Sequence, residues 1–380
     1  MKKYRPFIVG ILVGIVLLVG GLLLTGGRLL TPSQNEYYQG LDKAYGKYYE
    51  LITMIDEEAL ADYDPQKITD KVLKRVVAGL DDPYAEYYTA EEYEQFQKKY
   101  AKSYVGIGVS VGEKNGKVII GDVTADAPAE EAGLKVGDVI VAVDGVEVDG
   151  VDDATSRIAG ENGTEVKLTI KRDGKKKDFV MNRGKVINKS VEYKELYPKQ
   201  HIGYIAISGF KQGTAKEFRL AVKDLKNADY NKVIIDLREN GGGSTDAAYE
   251  IADMLLPECE MLSYVNAKGE KTVKKSDAST LGIKYVLLVD EFSASASEMV
   301  AGAVKDNKGG KLIGCTTYGK GVTQMTRRFK DGSALKITIE EFFRPSGKKI
   351  NEVGIEPDIV MKDAHDNKAM LKRAVKELKK

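Results

Sequence analysis

A multidomain α+β chain is expected from three patterns in the 380-residue sequence. An apolar N-terminal run and then helix-spaced apolar residues come first, alternation of period two with tight Asx-Gly turns follows, and from Tyr193 onward continuous apolar strands alternate with amphipathic helices. A length of 380 residues exceeds one ordinary core, so several units are expected. The divisions fall at 1–33 for a cytoplasmic stub, anchor and linker, and at 34–102 for a helical region. A β-rich module follows at 103–185, an α/β core at 186–362 and a C-terminal helix at 363–380.

The first unit sets the compartment. From Phe7 to Leu24 the residues FIVGILVGIVLLVGGLLL are all apolar or glycine, and at ~1.5 Å rise per residue the run nearly matches a ~30 Å hydrocarbon layer. Lys2, Lys3 and Arg5 precede it and only Arg28 follows closely, so a single-pass membrane protein is expected, with its N-terminus cytoplasmic and the rest extracytoplasmic. The run is longer than a signal-peptide core and no A-x-A site follows, which favours an uncleaved anchor over a cleaved signal.

Residues 34–102 carry EYYQGLDKAYGKYYELITMID, in which Tyr38, Leu41, Tyr45, Tyr48 and Leu51 share one helical face, then KITDKVLKRVVAGL and AEEYEQFQKKYA. Pro83 centres a turn, and Thr89 is an N-cap candidate. The aromatic face reads as core or subunit interface. In the β-rich module, turns are expected at Asn115-Gly116, Asp144-Gly145 and Asp173-Gly174, with short helices at 127–134 and 151–160. The strand and helix alternation beyond it implies a buried, largely parallel sheet, whose sites lie beyond the carboxyl ends of its strands. Two segments occupy such ends, DLRENGGGST (236–245) and DEFSASASE (290–298). The charged tail DNKAMLKRAVKELKK reads as an exposed amphipathic helix.

Composition excludes several functions. With 58 basic and 57 acidic side chains and only short basic clusters, nucleic acid is not an expected partner. Two histidines, His201 and His365, and two distant cysteines, Cys259 and Cys315, argue against a structural zinc site and a disulfide framework. Both thiols are expected to be free.

Ser295 ends a strand and opens a helix, where its hydroxyl meets unpaired backbone N–H groups able to hold an oxyanion. The competing reading is a helix N-cap. A nucleophilic serine needs a base, and neither histidine neighbours a second motif. Lys320 does, within the small residues of YGKGVTQ. A lysine becomes a base only when burial lowers its pKa by ~3 units, about 4 kcal/mol; alone, it reads as an exposed loop lysine.

SASASE, YGKGVTQ and FRPSGKKINEVGIEPDI, together with the anchor and the β-rich insert, resemble the carboxyl-terminal processing proteases, the tail-specific serine peptidases with a Ser-Lys dyad and a PDZ domain. The resemblance covers nearly the whole chain from Asp81. It implies a crotonase/Clp-like core with Ser295 as nucleophile, Lys320 as general base and Gln324 as a group that positions the lysine. DLRENGGG resembles the family's D-L-R-x-N-x-G-G segment and implies an oxyanion hole from the N–H groups of Gly242 and Ala296, with the choice among Gly241, Gly242 and Gly243 open because the family commonly has proline or another small residue at Gly241. YVGIGV implies a PDZ carboxylate loop at Gly106, Ile107 and Gly108. Ile158-Ala159-Gly160 departs from the family's Ile-Arg-Gly, with Arg157 nearby instead. Extended C-terminal tails of exported proteins as substrate, membrane attachment through the N-terminal helix, a homodimer paired through the terminal helices, and no metal or other cofactor complete what the resemblance implies.

Three other readings compete. A non-catalytic, membrane-tethered PDZ scaffold explains the anchor and groove but not the pairing of SASASE with YGKGVTQ. A crotonase-like acyl-transfer enzyme shares a strand-end oxyanion hole but needs no peptide-binding insert. A trypsin-like PDZ protease requires a catalytic histidine and a G-N-S-G-G loop, and both are missing.

Overall fold

The computed structural model describes residues 31–60 and 62–380. The expected anchor at 7–24 lies outside them, and among the described residues no helix is long and apolar enough to cross a membrane. The described residues form two compact units, one ending at Thr69 and the other running from Asp70 to Lys380.

In the first unit, the helix Pro32–Glu58 starts from a reciprocal cap, Gln34 N–H donating to Thr31 Oγ1 at 3.3 Å and Thr31 N–H to Gln34 Oε1 at 2.9 Å. None of its residues is buried, and Tyr37, Tyr38, Tyr45 and Tyr49 are all exposed. The same device opens the helix Ala90–Tyr100 in the second unit. Thr89 Oγ1 accepts from Glu92 N–H and the Glu92 carboxylate accepts from Thr89 N–H, so Thr89 is the expected cap.

Region 34–102 is not wholly helical. Glu86–Tyr88 forms a short strand that pairs antiparallel with residues 334–336 and buries Tyr87 and Tyr88. Three residues are too few to show a period of two, which is why the pattern did not reveal it.

The β-rich module is a sheet in the order Val109–Lys114, Lys117–Val123, Val139–Val143, Glu165–Arg172, Lys175–Asn182. All three expected hairpin turns have positive φ at both central residues, from 50° at Asp144 to 82° at Gly145, the mirror-image turn that suits twisted strands. Helices Pro128–Ala132 and Gly150–Ile158 close its core over Ile120, Ile140, Leu168 and Ile170. Arg183 locks the end of the second helix through the carbonyls of Ile158 and Arg157 at 2.8 and 3.0 Å. A Cβ at Gly160 would lie 2.6 Å from that guanidinium, so the glycine is required for the arginine to pass.

The core is built on a six-stranded sheet. Ile202–Ile207, Lys232–Asp236, Lys284–Val289, Lys311–Gly314 and Ile359–Val360 run parallel, and Val191–Tyr197 adds an antiparallel edge. Helices Thr214–Asn227, Thr245–Leu255 and Ala296–Asp306 bury Phe218, Ile251 and Val300 against one face. A second, antiparallel sheet centres on Ala334–Phe343, which pairs with Val322–Arg328 along one edge and with Glu86–Tyr88 and Glu260–Asn266 along the other.

The C-terminal helix Asn367–Leu378 corrects the expectation of an exposed tail. Met370, Ala374 and Leu378, spaced by four, are buried against Ile202, Ile234, Val286 and Ile313 on the other face of the parallel sheet. Its apolar stripe is therefore already covered within the chain.

Candidate active site

Three loops meet beyond the carboxyl ends of the parallel strands, 237–244, 290–296 and 315–321, where a parallel sheet places its sites. They are stitched together by backbone hydrogen bonds, Leu237 N–H to Leu288 O, Ala294 N–H to Asn240 O and Tyr318 N–H to Ser293 O.

The three alternate serines have different fates. Ser293 is fully buried; its hydroxyl donates to Leu237 O at 2.8 Å and accepts from Asp290 N–H at 3.0 Å. Ser297, also fully buried, donates to Asn240 O at 2.8 Å. The hydroxyl of Ser295 is anchored to no carbonyl, and its backbone sits at φ 55°, ψ −111°, a strained conformation for a residue with a Cβ. The outer serines thus fix the loop, while Ser295, itself buried, is the helix N-cap in a capping box with Glu298, as the competing reading expected.

Glu298, one turn into the helix Ala296–Asp306, has no exposed surface. Its Oε2 accepts from Ser295 N–H and Lys320 N–H, both at 2.8 Å, and its Oε1 accepts from Gly319 N–H at 2.7 Å and Thr317 Oγ1 at 2.6 Å. Burial pushes this carboxyl above its ordinary pKa while the four donors oppose the rise. Among the described residues Lys320 forms no ion pair. Its amine lies 4.2 Å from the centre of the Tyr84 ring, and burial, helped by the charge of Lys336, lowers its pKa against the pull of Asp82 and Glu298. No hydrogen bond joins Lys320 Nζ to Ser295 Oγ in this arrangement.

Gly242 and Ala296 are brought together. A Cβ built on Gly242 would lie 2.7 Å from Ala294 O and 2.9 Å from Ala296 N, and its φ of 99° also demands glycine. Ala296 N–H, at the first helical position, is beyond the reach of any intrahelical carbonyl. Gly242 N–H donates to Asn240 Oδ1 at 2.9 Å, and the buried Asn240 amide is itself fixed on Ile207 O at 2.7 Å. Gly243 serves packing, since a Cβ there would strike Phe210 O, and a Cβ at Gly241 would meet nothing.

Gln324 lies on the strand Val322–Arg328, where its side-chain amide donates to Thr338 Oγ1 at 3.3 Å and not to Lys320. Thr338 is in turn held by Asp82 through its N–H at 3.0 Å and hydroxyl at 3.1 Å. Asp82, Tyr84 and Glu298 were missed as site residues from sequence. DDPY read only as a turn, and the Glu of SASASE carried the only local hint, a capping-box spacing from Ser295. Neither histidine bonds to Ser295: His201 precedes the strand Ile202–Ile207, and His365 pairs with Glu291 at 3.0 Å. Both cysteines are free thiols.

In the β-rich module, Gly106 ends the strand Ser103–Gly106, opposite Gly184. Ile107 is buried and its carbonyl accepts from Ala129 N–H, while the Gly108 carbonyl accepts from Thr124 N–H, both at 2.8 Å. At Gly108, φ is 81° and a Cβ would lie 2.3 Å from that of Ala127, so only glycine fits.

Residues 201–361 match the model of peptidase family S41, and residues 105–182 that of the PDZ domain. A "Probable CtpA-like serine protease" of Staphylococcus haemolyticus is 38% identical over 77% of this chain and 60% of its own length. Its counterpart from a bovine Staphylococcus aureus strain is 34% identical over 86% of this chain and 67% of that protein. The chain thus spans about two thirds or less of these relatives. The solved structure of a photosystem II D1 C-terminal processing protease is similar over 92% of this chain and 98% of that one, with 25% identity and a TM-score of 0.51. With its serine loop, glycine loop and half-buried lysine gathered at one end of the parallel sheet and a PDZ module preceding them, the chain belongs to the CtpA-like serine proteases of peptidase family S41.

Proposed function

We propose that the chain is a membrane-anchored serine endopeptidase that cleaves exported proteins near their carboxyl termini. The observation that supports it most is Lys320: a half-buried amine without an ion pair among the described residues, lowered in pKa by burial, whose backbone shares a carboxylate oxygen with the backbone of the strained Ser295. Neutral Lys320 takes the Ser295 proton as Oγ attacks the peptide carbonyl, and the ammonium then protonates the departing amine. Water resolves the acyl-enzyme. The N–H groups of Ala296 and Gly242 hold the oxyanion, which on this reading exchanges the Gly242 bond to Asn240 for one to substrate. Gln324 acts on the lysine through the Thr338 and Asp82 chain.

The PDZ loop at Gly106, Ile107 and Gly108, with two of its carbonyls already bonded, offers backbone N–H groups to a terminal carboxylate of an extended tail. The apolar run 7–24 holds the chain at a membrane, and the tyrosine-rich face of Pro32–Glu58 pairs two copies. A non-catalytic PDZ scaffold gives no reason for a serine held at φ 55° beside a desolvated lysine.

An acylating serine probe applied to the protein, followed by mapping of the adduct, tests the reading. Adduct on Ser295 that disappears in Lys320→Ala is expected. Adduct on Ser293 or Ser297, or none at all with a folded protein, overturns it.

A further inference from the structure

The PDZ module carries an uncompensated basic face at one end of its sheet. Ile119 stands opposite Val139 and Val139 opposite Lys171, so the hairpin tips Asn115-Gly116 and Asp173-Gly174 lie at the same end. Between them and the loop that leads into Val139 is an open hollow of about 530 Å³, lined by Lys117, Lys135, Lys171 and Arg172 and by two carboxylates, Asp138 and Asp173. Asp138 is buried and taken by Arg172 at 2.6 and 2.7 Å. Lys117, Lys135 and Lys171 are exposed and, among the described residues, form no ion pair. In a chain with 58 basic and 57 acidic side chains, this segregation of charge is local.

The strand register makes this face costly to fold. Lys114 stands opposite Lys117, Lys171 opposite Lys176 and Arg172 opposite Lys175. Like charges directly opposite each other destabilise a strand pair, and here such pairs recur in two separate hairpins. Lysines on an edge strand guard it against pairing with another sheet, which accounts for Lys175 and Lys176 because Lys175–Asn182 is an edge. It does not account for Lys117 and Lys171, which lie on inner strands, or for Lys135 in a loop. Beside Lys135, Val136 lines the same hollow and is 64% exposed.

We propose that this end of the PDZ module is a docking surface for the phosphate headgroups of an anionic phospholipid membrane. The inference rests on the membrane anchorage proposed above, since a chain held at a bilayer by its apolar run 7–24 meets lipid phosphates at high local concentration. Lysine ammonium groups around a shallow hollow complement phosphodiesters, and an exposed valine in their midst suits the boundary between headgroups and acyl chains. A lysine near an anionic bilayer favours attachment by about fivefold, so Lys117, Lys135 and Lys171 together favour the docked arrangement by roughly 100-fold. Repulsion between the paired lysines, which opposes folding in water, is relieved where each meets a lipid phosphate.

The test uses the full-length protein with vesicles of phosphatidylcholine alone or of an equimolar mixture of phosphatidylcholine and phosphatidylglycerol. Amide hydrogen exchange at 114–117, 135–139 and 171–176 should slow on the mixed vesicles and not on phosphatidylcholine, and the difference should vanish at high salt, which screens the surface charge. Lys117→Glu, Lys135→Glu and Lys171→Glu combined should abolish the slowing without lowering Tm, because a glutamate opposite Lys114 or Lys176 replaces repulsion with attraction. Equal exchange on the two vesicles, or slowing that survives in the triple variant, overturns the proposal. So does the same slowing with inorganic pyrophosphate alone, which would make this a site for soluble anions. Flotation with phosphatidylcholine vesicles tests the anchor separately: a chain left behind there refutes the anchor, while the docking surface still stands or falls on the comparison with and without phosphatidylglycerol.

Discussion

Ser295 and Lys320 are joined through one oxygen: Glu298 Oε2 accepts the backbone N–H of both, each at 2.8 Å. The residue expected to attack and the residue expected to take its proton are therefore spaced by their main chains, and the long lysine side chain only has to reach across. The carboxylate that does this also binds Gly319 and Thr317 and is wholly buried.

Glu298→Gln should consequently impair both stability and chemistry. An amide has one acceptor oxygen and turns two donors toward N–H groups, so part of the four-bond cluster is left unsatisfied, at about 2–4 kcal/mol. The unfolding free energy from urea curves should fall by that amount, and among molecules still folded kcat should fall more than KM changes. Wild-type kcat in a folded Glu298→Gln protein would show that the shared oxygen does not set the dyad.

The serines give opposite pairs of outcomes. Ser293→Ala leaves the buried Asp290 N–H without a partner and Leu237 O with only its longer contact from Asn240 N–H, and should cost about 1–3 kcal/mol. Ser295→Gly should abolish cleavage but stabilise the fold by about 1 kcal/mol, because relief of the strain at φ 55° exceeds the added chain entropy of glycine. Denaturation curves and a peptide assay on the two variants check both halves; a destabilised Ser295→Gly would mean that the backbone there is not strained.

These relations also mark how far the sequence could be read. Asx-Gly turns were legible because positive φ at two successive residues selects those side chains locally, as Asn115-Gly116 and Asp173-Gly174 show. The helix cap at Thr89 was legible because a capping threonine lies directly before the helical run it starts, with its partner Glu92 three residues on. Glu298 was not, since its partners Gly319 and Lys320 lie 21 and 22 residues away and no local pattern records them. The amphipathic spacing of Met370, Ala374 and Leu378 announced a helix with one apolar face, but whether that face meets water, another copy or the sheet is a tertiary fact. Tyr84 was hidden similarly, in a turn whose ring meets Lys320 across 236 residues of sequence.

Selection by the tail is tested with two peptides that differ only in a free or amidated carboxyl terminus. Backbone N–H groups at the Gly106 to Gly108 loop favour a charged terminus over an amide, so the free peptide should be cleaved faster. Gly108→Val, which places bulk at φ 81° against Ala127, should abolish the difference. Equal rates for the two peptides with the unaltered protein would leave the PDZ module without a role in choosing the chain end.

The pH dependence of cleavage follows from Lys320. Its folded pKa is lowered by burial, the neutral amine is the active form, and activity should therefore rise with pH through a value below the ordinary lysine range. Lys320→Arg should be inactive at every pH near neutrality, because a guanidinium keeps its proton. Activity of that variant within tenfold of the original would remove the lysine from the mechanism.

Tyr84 decides where that rise lies, and two opposing effects can be separated by substitution. Its ring face, 4.2 Å from the amine, favours the ammonium by about 0.5–1 kcal/mol, while its bulk keeps water away and favours the neutral amine. Tyr84→Leu keeps most of the bulk and removes the face, so the pKa should fall and the rising limb should move down by about half a unit, given 1.36 kcal/mol per unit. Tyr84→Ala admits water, and since burial is the largest influence on Lys320 its limb should move up. Tyr84→Phe keeps the face and should leave the limb in place. The readout is kcat/KM against pH for the three variants, since the loss of an ordinary packing residue changes its height and not its position; a limb that moves in the same direction for Leu and Ala would show that the ring acts by bulk alone.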